Sequence, residues 1–327
     1  MGLINLKTLQ PHKVSRDLSG YITYLYGAGG AGKTSFGAQM PSPLLIAFER
    51  GYNAIAGITP VDVTSWSEMK QVLRQLDDKE VKGMYKTLII DTVDRASMMC
   101  EKYICSQLGI ENIGDGGWVT NGWAKVKKEW ENTFASIAQK GYAVLFISHA
   151  KDKTFKRKDS TEYNMIVPSC STAYNEIIRN MSDLEGYINI ENNIRTLVLR
   201  SPDGSIECKS RFKYIDAAIP FSYDSLVEAL NKAIDKEGEE KGKELITEDF
   251  EMPVAKVEKY DFDAMMAEFK QSVKELMTKD SNKYGIKITS IVERYLGKNK
   301  KVTDCTPDQC EQLELVLLDV RELLKEQ

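Results

Sequence analysis

Eight consecutive residues, Gly27-Ala28-Gly29-Gly30-Ala31-Gly32-Lys33-Thr34, have the types and spacing to hold a phosphate chain. They satisfy G-x-x-x-x-G-K-[ST] at every fixed position, and Ser35 continues them into a helix-compatible stretch. Glycines let backbone N–H groups turn inward around phosphate oxygens, and a helix that starts there presents its positive end to the same anion. In such a loop Lys33 reaches the β- and γ-phosphates and Thr34 ligates Mg²⁺. A second acidic position supports the first. Lys86-Thr87-Leu88-Ile89-Ile90-Asp91 reads as an apolar strand ending in a carboxylate, with Thr92 beside it. Asp91 there holds Mg²⁺ through water, the Walker B role. A guanine-specific protein would show D-x-x-G at the acid and N-K-x-D later. Here the acid opens Asp91-Thr92-Val93-Asp94, and Asn231-Lys232-Ala233-Ile234-Asp235 is one residue too long. The expected cofactors are therefore ATP and Mg²⁺.

These residues need strands and helices to hold them. Apolar runs at Tyr21–Tyr26, Pro43–Phe48, Thr87–Asp91, Ala143–Ser148, Tyr187–Ile190 and Thr196–Arg200 alternate with helical stretches. Several runs are apolar throughout, as strands buried on both faces are. Strand–helix alternation implies an α/β fold with a largely parallel, helix-covered sheet. Residues 1–235 are assigned to this core, with 1–20 as a polar lead-in. Residues 236–259 hold five basic and eight acidic side chains and few apolar ones, the composition of a solvated linker or frayed helix. Residues 260–327 read as a small helical domain. Phe262, Met265, Phe269, Val273 and Leu276 share one helical face. Ile288, Ile291, Val292 and Tyr295 suggest a short second helix closed by Gly297. Thr306-Pro307-Asp308-Gln309 is a capping-box start, followed by the stripe Leu313, Val316, Leu317, Val320 and Leu324. No internal repeat is visible.

The composition bounds the alternatives. The chain has 327 residues, 42% hydrophobic and 28% charged, which excludes a disordered or collagen-like protein. Length suggests about two domains. No run approaches the ~20 apolar residues of a membrane helix, and MGLINLKTLQPHKV lacks a signal-peptide apolar segment. Its Met-Gly start has Leu at position 6, where a myristoylation signal needs Ser or Thr. A cytoplasmic protein with no membrane partner is expected. The net charge of −4 means that any nucleic-acid contact comes from a local patch. Cys100, Cys105, Cys170, Cys208, Cys305 and Cys310 form no C-x-x-C, and the histidines are His12 and His149, so reduced core thiols are expected rather than a zinc site.

With the phosphate loop and the strand order in place, the chain over about residues 20–230 resembles the RecA-like recombinase and ring-helicase branch of P-loop ATPases. More narrowly, it looks like the phage-encoded, AAA-type nucleotide-binding proteins related to RecA that act in single-strand annealing and recombination. The resemblance implies a RecA-like P-loop core and roles for particular residues. Glu49, after Pro43–Phe48, matches the glutamate that polarises the attacking water, on a strand implied to lie beside the P-loop strand. His149, after Val144–Ser148, matches a γ-phosphate sensor that passes its state to the next loop; a satisfied core histidine is the plainer reading. Lys209-Ser210-Arg211 matches a basic pair that reaches a neighbouring subunit's γ-phosphate, though a solvated surface pair fits as well. The loop after His149 matches the single-stranded-DNA loop of that branch. Lys151, Lys153, Lys156, Arg157 and Lys158 gather there with Phe155 interleaved, a basic track with a stacking platform, or else an ordinary solvated basic loop. The C-terminal region has no counterpart in RecA.

The insert Cys105–Gly122 carries Gly109, Gly114, Gly116 and Gly117 and reads as a mobile loop. Trp123, Val126 and Trp130 fall at helical spacing and read as core, leaving Trp118 for stacking. The function these features imply is a Mg²⁺-dependent ATPase that oligomerises, as a ring or filament with ATP at subunit interfaces, on single-stranded DNA. It would support annealing or recombination in the bacterial host cytoplasm, with a single-strand DNA-binding protein or another recombination or replication factor as partner. A ring helicase or helicase loader shares these motifs. A nucleotide-switched interaction module with little hydrolysis, acting through the helical tail, is the reading from a different class.

Overall fold

The computed structural model describes residues 11–78, 80–81, 83–248 and 261–325. The chain divides into two compact units, with the break between Met252 and Pro253. In chain order the first unit contains β1 (Val14–Ser15), β2 (Ile22–Gly27), α1 (Lys33–Gly37), β3 (Pro43–Ala47), β4 (Thr59–Asp62), α2 (Trp66–Gln75) and β5 (Thr87–Asp91). It continues with α3 (Val93–Leu108), α4 (Gly117–Thr120), α5 (Gly122–Ala138), β6 (Ala143–Lys156), β7 (Glu162–Pro168), α6 (Thr172–Met181), β8 (Leu184–Glu191) and β9 (Ile194–Val198). It ends with β10 (Lys209–Ser210), β11 (Ala218–Pro220), α7 (Tyr223–Lys241) and β12 (Ile246–Thr247). The larger sheet has the order β11-β9-β8-β2-β6-β5-β3-β4, with β10 on β8 and β7 on β6. From β8 to β4 the neighbours are parallel; β9, β10 and β11 pair antiparallel at one side.

The continuous apolar runs become strands covered on both faces, because successive side chains point to opposite sides. Tyr24, Ile46, Ile90, Val144 and Phe146 join one cluster with Trp66, Ala96, Cys100, Trp130 and Phe134. Leu25, Leu45, Ile89, Leu145 and Ile147 join the other with Phe36, Leu226, Leu230 and Ile234. Helices α2, α3, α5 and α6 supply the first layer and α1 and α7 the second. The first layer is rich in aromatics: Trp66 stacks on Trp130 at 5.6 Å between centroids, and Trp130 meets Phe134 edge-on at 4.5 Å.

Several sequence expectations change. The edge strand β4 was not expected, because Thr-Pro-Val-Asp has no apolar run; an outermost strand tolerates both its exposure and Pro60. The core does not stop at residue 235. That position lies inside α7, whose face Leu226, Ala229, Leu230, Ala233 and Ile234 is buried, and β12 then pairs in parallel with β1. The expected linker therefore begins as helix and strand, and its residues 249–259 lie outside the described residues. The readings of the first ten residues also lie outside them. The insert Cys105–Gly122 is partly helical, since α3 runs to Leu108 and α4 spans Gly117–Thr120. Val126 and Trp130 are buried, but Trp123 is 58% exposed, a correction to its core assignment. It lies in the first turn of α5, where Gly122 packs closely on Ile113 of the preceding loop rather than on the sheet. Trp118 is fully exposed. Cys100, Cys105, Cys170 and Cys310 are buried, and all six cysteines are free.

The second unit holds α8 (Phe262–Lys279), α9 (Ser281–Leu296) and α10 (Cys310–Lys325). Asp261 and Asp280 cap α8 and α9 by accepting from Ala264 N–H and Lys283 N–H at 3.0 Å each. Thr306 and Gln309 form the reciprocal capping box ahead of α10. Met265, Leu276, Ile288, Val292, Leu313, Leu317 and Val320 make a separate apolar core. Arg321 grips Glu268 with two nitrogens at 2.6 and 2.8 Å. Among the described residues, no helix is long and apolar enough to cross a membrane.

Candidate functional site

The phosphate loop leaves the carboxyl end of β2, where the sheet order reverses: the chain turns one way to β3 and later returns on the other side as β8. Open parallel sheets bind ligands at such a switch point. Gly30 and Gly32 have φ of 74° and 96°, the left-handed region that favours glycine. Gly27 is needed for contact, since a Cβ there would stand 3.2 Å from both Cβ and the carbonyl oxygen of Ile188 on β8.

Lys33 is buried and donates from Nζ to the carbonyls of Gly27 at 2.9 Å and Ala28 at 2.8 Å. Its ammonium is thus held inside the loop, and burial lowers its pKa. Thr34 Oγ1 donates to Asp91 Oδ2 at 2.6 Å. Asp91 is also buried, and burial raises its carboxyl above the ordinary aspartate value, with Glu49 adding to the effect and the Thr34 hydrogen bond opposing it. Thr34 and Asp91 would hold a Mg²⁺ ion. The fit is chemical: a hard cation takes a carboxylate and a hydroxyl, and completes its shell with phosphate and water. Among the described residues no three His, Cys, Asp or Glu side chains converge as a metal cage.

Glu49 follows β3, and its backbone is pinned to β5: Phe48 N–H and Glu49 N–H both point at Asp91 O, at 2.7 and 3.3 Å. Its carboxylate accepts from Thr92 Oγ1 at 2.9 Å, stands 3.6 Å from Arg95 Nε, and meets His149 Nε2 at 3.4 Å. The strand carrying Glu49 lies beside β5, not beside the P-loop strand as the resemblance implied; β6 and β5 separate it from β2. Glu49 still joins the site because β2, β6, β5 and β3 all end on the same side.

His149 closes the parallel part of β6, opposite Gly27. Asp94, in the first turn of α3, accepts from His149 N–H at 3.3 Å and from the Ser169 hydroxyl, while Ser169 N–H donates to His149 O at 2.8 Å. Asp94, Arg95 and Ser169 were not singled out in the sequence. Asp94 had a visible signal, as the second acid of Asp91-Thr92-Val93-Asp94; Ser169 had none.

The segment after His149 is not a loop. From Ala150 onward β6 pairs only with β7, in a hairpin whose register matches Lys151 to Val167, Lys153 to Met165 and Phe155 to Tyr163. Polar residues on both faces of 150–156 hide this strand from an apolar-run reading. Odd-numbered positions share a face. There Phe155 stacks on Tyr163 at 5.6 Å, Lys153 Nζ lies 4.9 Å from the Phe155 ring, and Arg157 lies 4.9 Å from the Tyr163 ring. Lys151 Nζ donates to Ser169 O at 2.9 Å. Lys156 is on the opposite face, paired with Glu162 at 3.2 Å, and Lys158 sits in the turn.

Lys209 and Arg211 do not join the site. β10 pairs with the start of β8, and Lys209 stands opposite Glu185, which itself pairs with Tyr24, well before Gly27 along β2. Lys209 Nζ donates to the carbonyls of Arg179 at 2.6 Å and Asn180 at 3.0 Å, near the end of α6. Arg211 pairs with Asp183 at 3.0 Å and donates to Asn180 O at 3.1 Å.

A lysine gripped by a glycine loop, next to a buried strand-end carboxylate at a switch point, is the working part of a P-loop nucleotide-binding ATPase. The chain belongs to the AAA domain family, which residues 19–212, more than half of its length, match. It is also 29% identical over 329 residues to the SPbeta prophage-derived uncharacterized protein YorG of Bacillus subtilis (strain 168), covering 99% of each chain.

Proposed function

We propose that the protein is a Mg²⁺-dependent, RecA-like ATPase of phage type that binds single-stranded DNA and supports recombination or strand annealing as an oligomer. One observation carries this reading. β6 is a single strand that starts beside the P-loop strand, brings His149 to Glu49, and continues into the hairpin bearing Lys151, Lys153, Phe155 and Arg157. A change at the γ-phosphate felt by His149 has a continuous backbone to that basic, aromatic face. Stacked rings flanked by cations suit unpaired bases and their phosphates.

In the proposed reaction Asp91 and Thr34 hold the metal, Lys33 neutralises phosphate charge, and Glu49 orients the attacking water. Thr92 and Arg95 fix the Glu49 carboxylate. Lys209 and Arg211 lie toward the opposite end of β2 from the P-loop of their own chain, so any phosphate they serve belongs to a neighbouring copy. A second reading, a nucleotide-switched interaction module, is favoured by Trp118 and Val119, which are 100% and 95% exposed on α4.

The test is ATP hydrolysis with and without single-stranded DNA across a salt titration. Stimulation that fades as salt rises is the expected result. Turnover indifferent to DNA moves the weight to the interaction module.

A further inference from the structure

Besides Lys33, a second cationic side chain stands at the phosphate loop, and no sequence motif marks it. β8 and β9 form a hairpin whose turn residues Asn192 and Asn193 have φ of 50° and 61°, a left-handed pair that asparagine accepts readily. β8 lies against the P-loop strand, with Gly27 opposite Ile188, and β9 follows it with Ile190 opposite Arg195. The register therefore brings Arg195 alongside the loop. A Cβ on Gly32 would stand 3.9 Å from Arg195 Nε and 3.6 Å from Phe221 Cε1. Phe221 is fixed in turn: its ring stacks on Phe36 of α1 at 5.2 Å and 12°, and its N–H donates to Arg195 O at 3.1 Å.

Among the described residues the Arg195 side chain has no ion-pair or hydrogen-bond partner. Arg179, Arg200, Arg211, Arg294 and Arg321 each have one. An unpaired guanidinium against the glycine before Lys33 faces the place where phosphate oxygens would be held, and its planar fork matches such oxygens.

We propose that Arg195 binds the phosphate chain of the nucleotide held by its own P-loop. This inference rests on the nucleotide-binding reading above. It makes Arg195 a second cation supplied in cis beside Lys33, distinct from Lys209 and Arg211.

The test compares wild-type protein with Arg195→Ala and Arg195→Lys in binding titrations with ATP, ADP and inorganic tripolyphosphate, each with Mg²⁺. Arg195→Ala is expected to bind all three about tenfold or more weakly, the loss that removing one charge-assisted hydrogen bond brings. Arg195→Lys should recover part of that loss. The melting temperature without ligand should be unchanged, since the side chain is exposed and unpartnered. Arg195→Ala binding all three like wild type overturns the proposal. So does a loss confined to ATP and ADP, which would place Arg195 on the base or sugar. Wild type that binds none of the three overturns both this inference and the nucleotide-binding reading, whereas loss on Lys33→Ala with retention on Arg195→Ala overturns the inference alone.

Discussion

His149 Nε2 stands 3.4 Å from Glu49 Oε2, although 100 residues separate them. Glu49 also accepts from Thr92, and Asp94 holds the His149 backbone, so β3, β5, α3 and β6 meet around one carboxylate. A group that orients water needs a fixed direction, and these neighbours supply it.

The first prediction concerns this carboxylate. Glu49→Gln keeps the shape and the Thr92 hydrogen bond but removes the charge. Turnover should fall roughly 100- to 10,000-fold, the usual worth of a positioned base, while ATP affinity stays near wild type. Lys33→Ala should lose binding and turnover together. Single-turnover hydrolysis beside equilibrium binding separates the two, and a Glu49→Gln protein that hydrolyses ATP normally removes Glu49 from the reaction.

On the hairpin, Phe155→Ala should weaken single-stranded DNA binding by about 1–3 kcal/mol, one base stack. Removing its ring from Tyr163 should cost no more than about 1 kcal/mol of stability. Lys151→Ala and Lys153→Ala should instead flatten the dependence of log affinity on log salt by about 0.7 for each DNA phosphate that is no longer neutralised. Anisotropy titrations at several salt concentrations read both effects. Unchanged slopes in the lysine variants would take DNA off this face.

For the basic pair, Arg211→Ala should leave nucleotide binding intact, because the pair lies away from its own P-loop. Turnover in the assembly should fall by about 1,000-fold if the charge serves a neighbour. Mixing Arg211→Ala with Lys33→Ala protein is the sharper assay. Recovered hydrolysis means composite sites, and a mixture as inactive as its parts denies them.

A pH prediction comes from Glu185. Its side chain is fully buried on β8, one oxygen accepts from Arg179 Nε at 2.9 Å, and the other has no hydrogen-bond partner among the described residues. Burial pushes its carboxyl up from the ordinary 4.5 to about 8. A raised folded-state pKa means that the native protein holds the proton longer than the unfolded chain. The associated stability is fully present below about pH 4.5 and is lost as pH rises through about 8. Glu185→Gln removes this dependence, at up to about 1.4 kcal/mol per pH unit. Thermal melts between pH 5 and 9, without nucleotide, should show the variant gaining on wild type until about pH 8. A constant difference across that range would refute the buried-acid account.

Local sequence determined the parts that neighbouring residues build by themselves. The phosphate loop was legible because its glycines, lysine and threonine are consecutive and their backbone geometry is local. The central strands were legible because burial on both faces leaves an unbroken apolar run, as in Leu88-Ile89-Ile90. Stripes such as Leu313, Val316, Leu317 and Val320 marked a helix for the same reason. Tertiary structure alone decided what depends on pairing across distance. Nothing polar in 150–156 announces a strand until 162–168 lies beside it. Glu49 lies beside β5 rather than the P-loop strand because sheet order is not written in any one strand. Trp123 and Trp130 share a helical face, yet one is exposed and the other buried, since periodicity names a face but not what covers it. Arg195 reaches Gly32 through two strand registers, β2 with β8 and β8 with β9. Such a register is set by the side chains of both strands packing together, so it exists only once the sheet has formed.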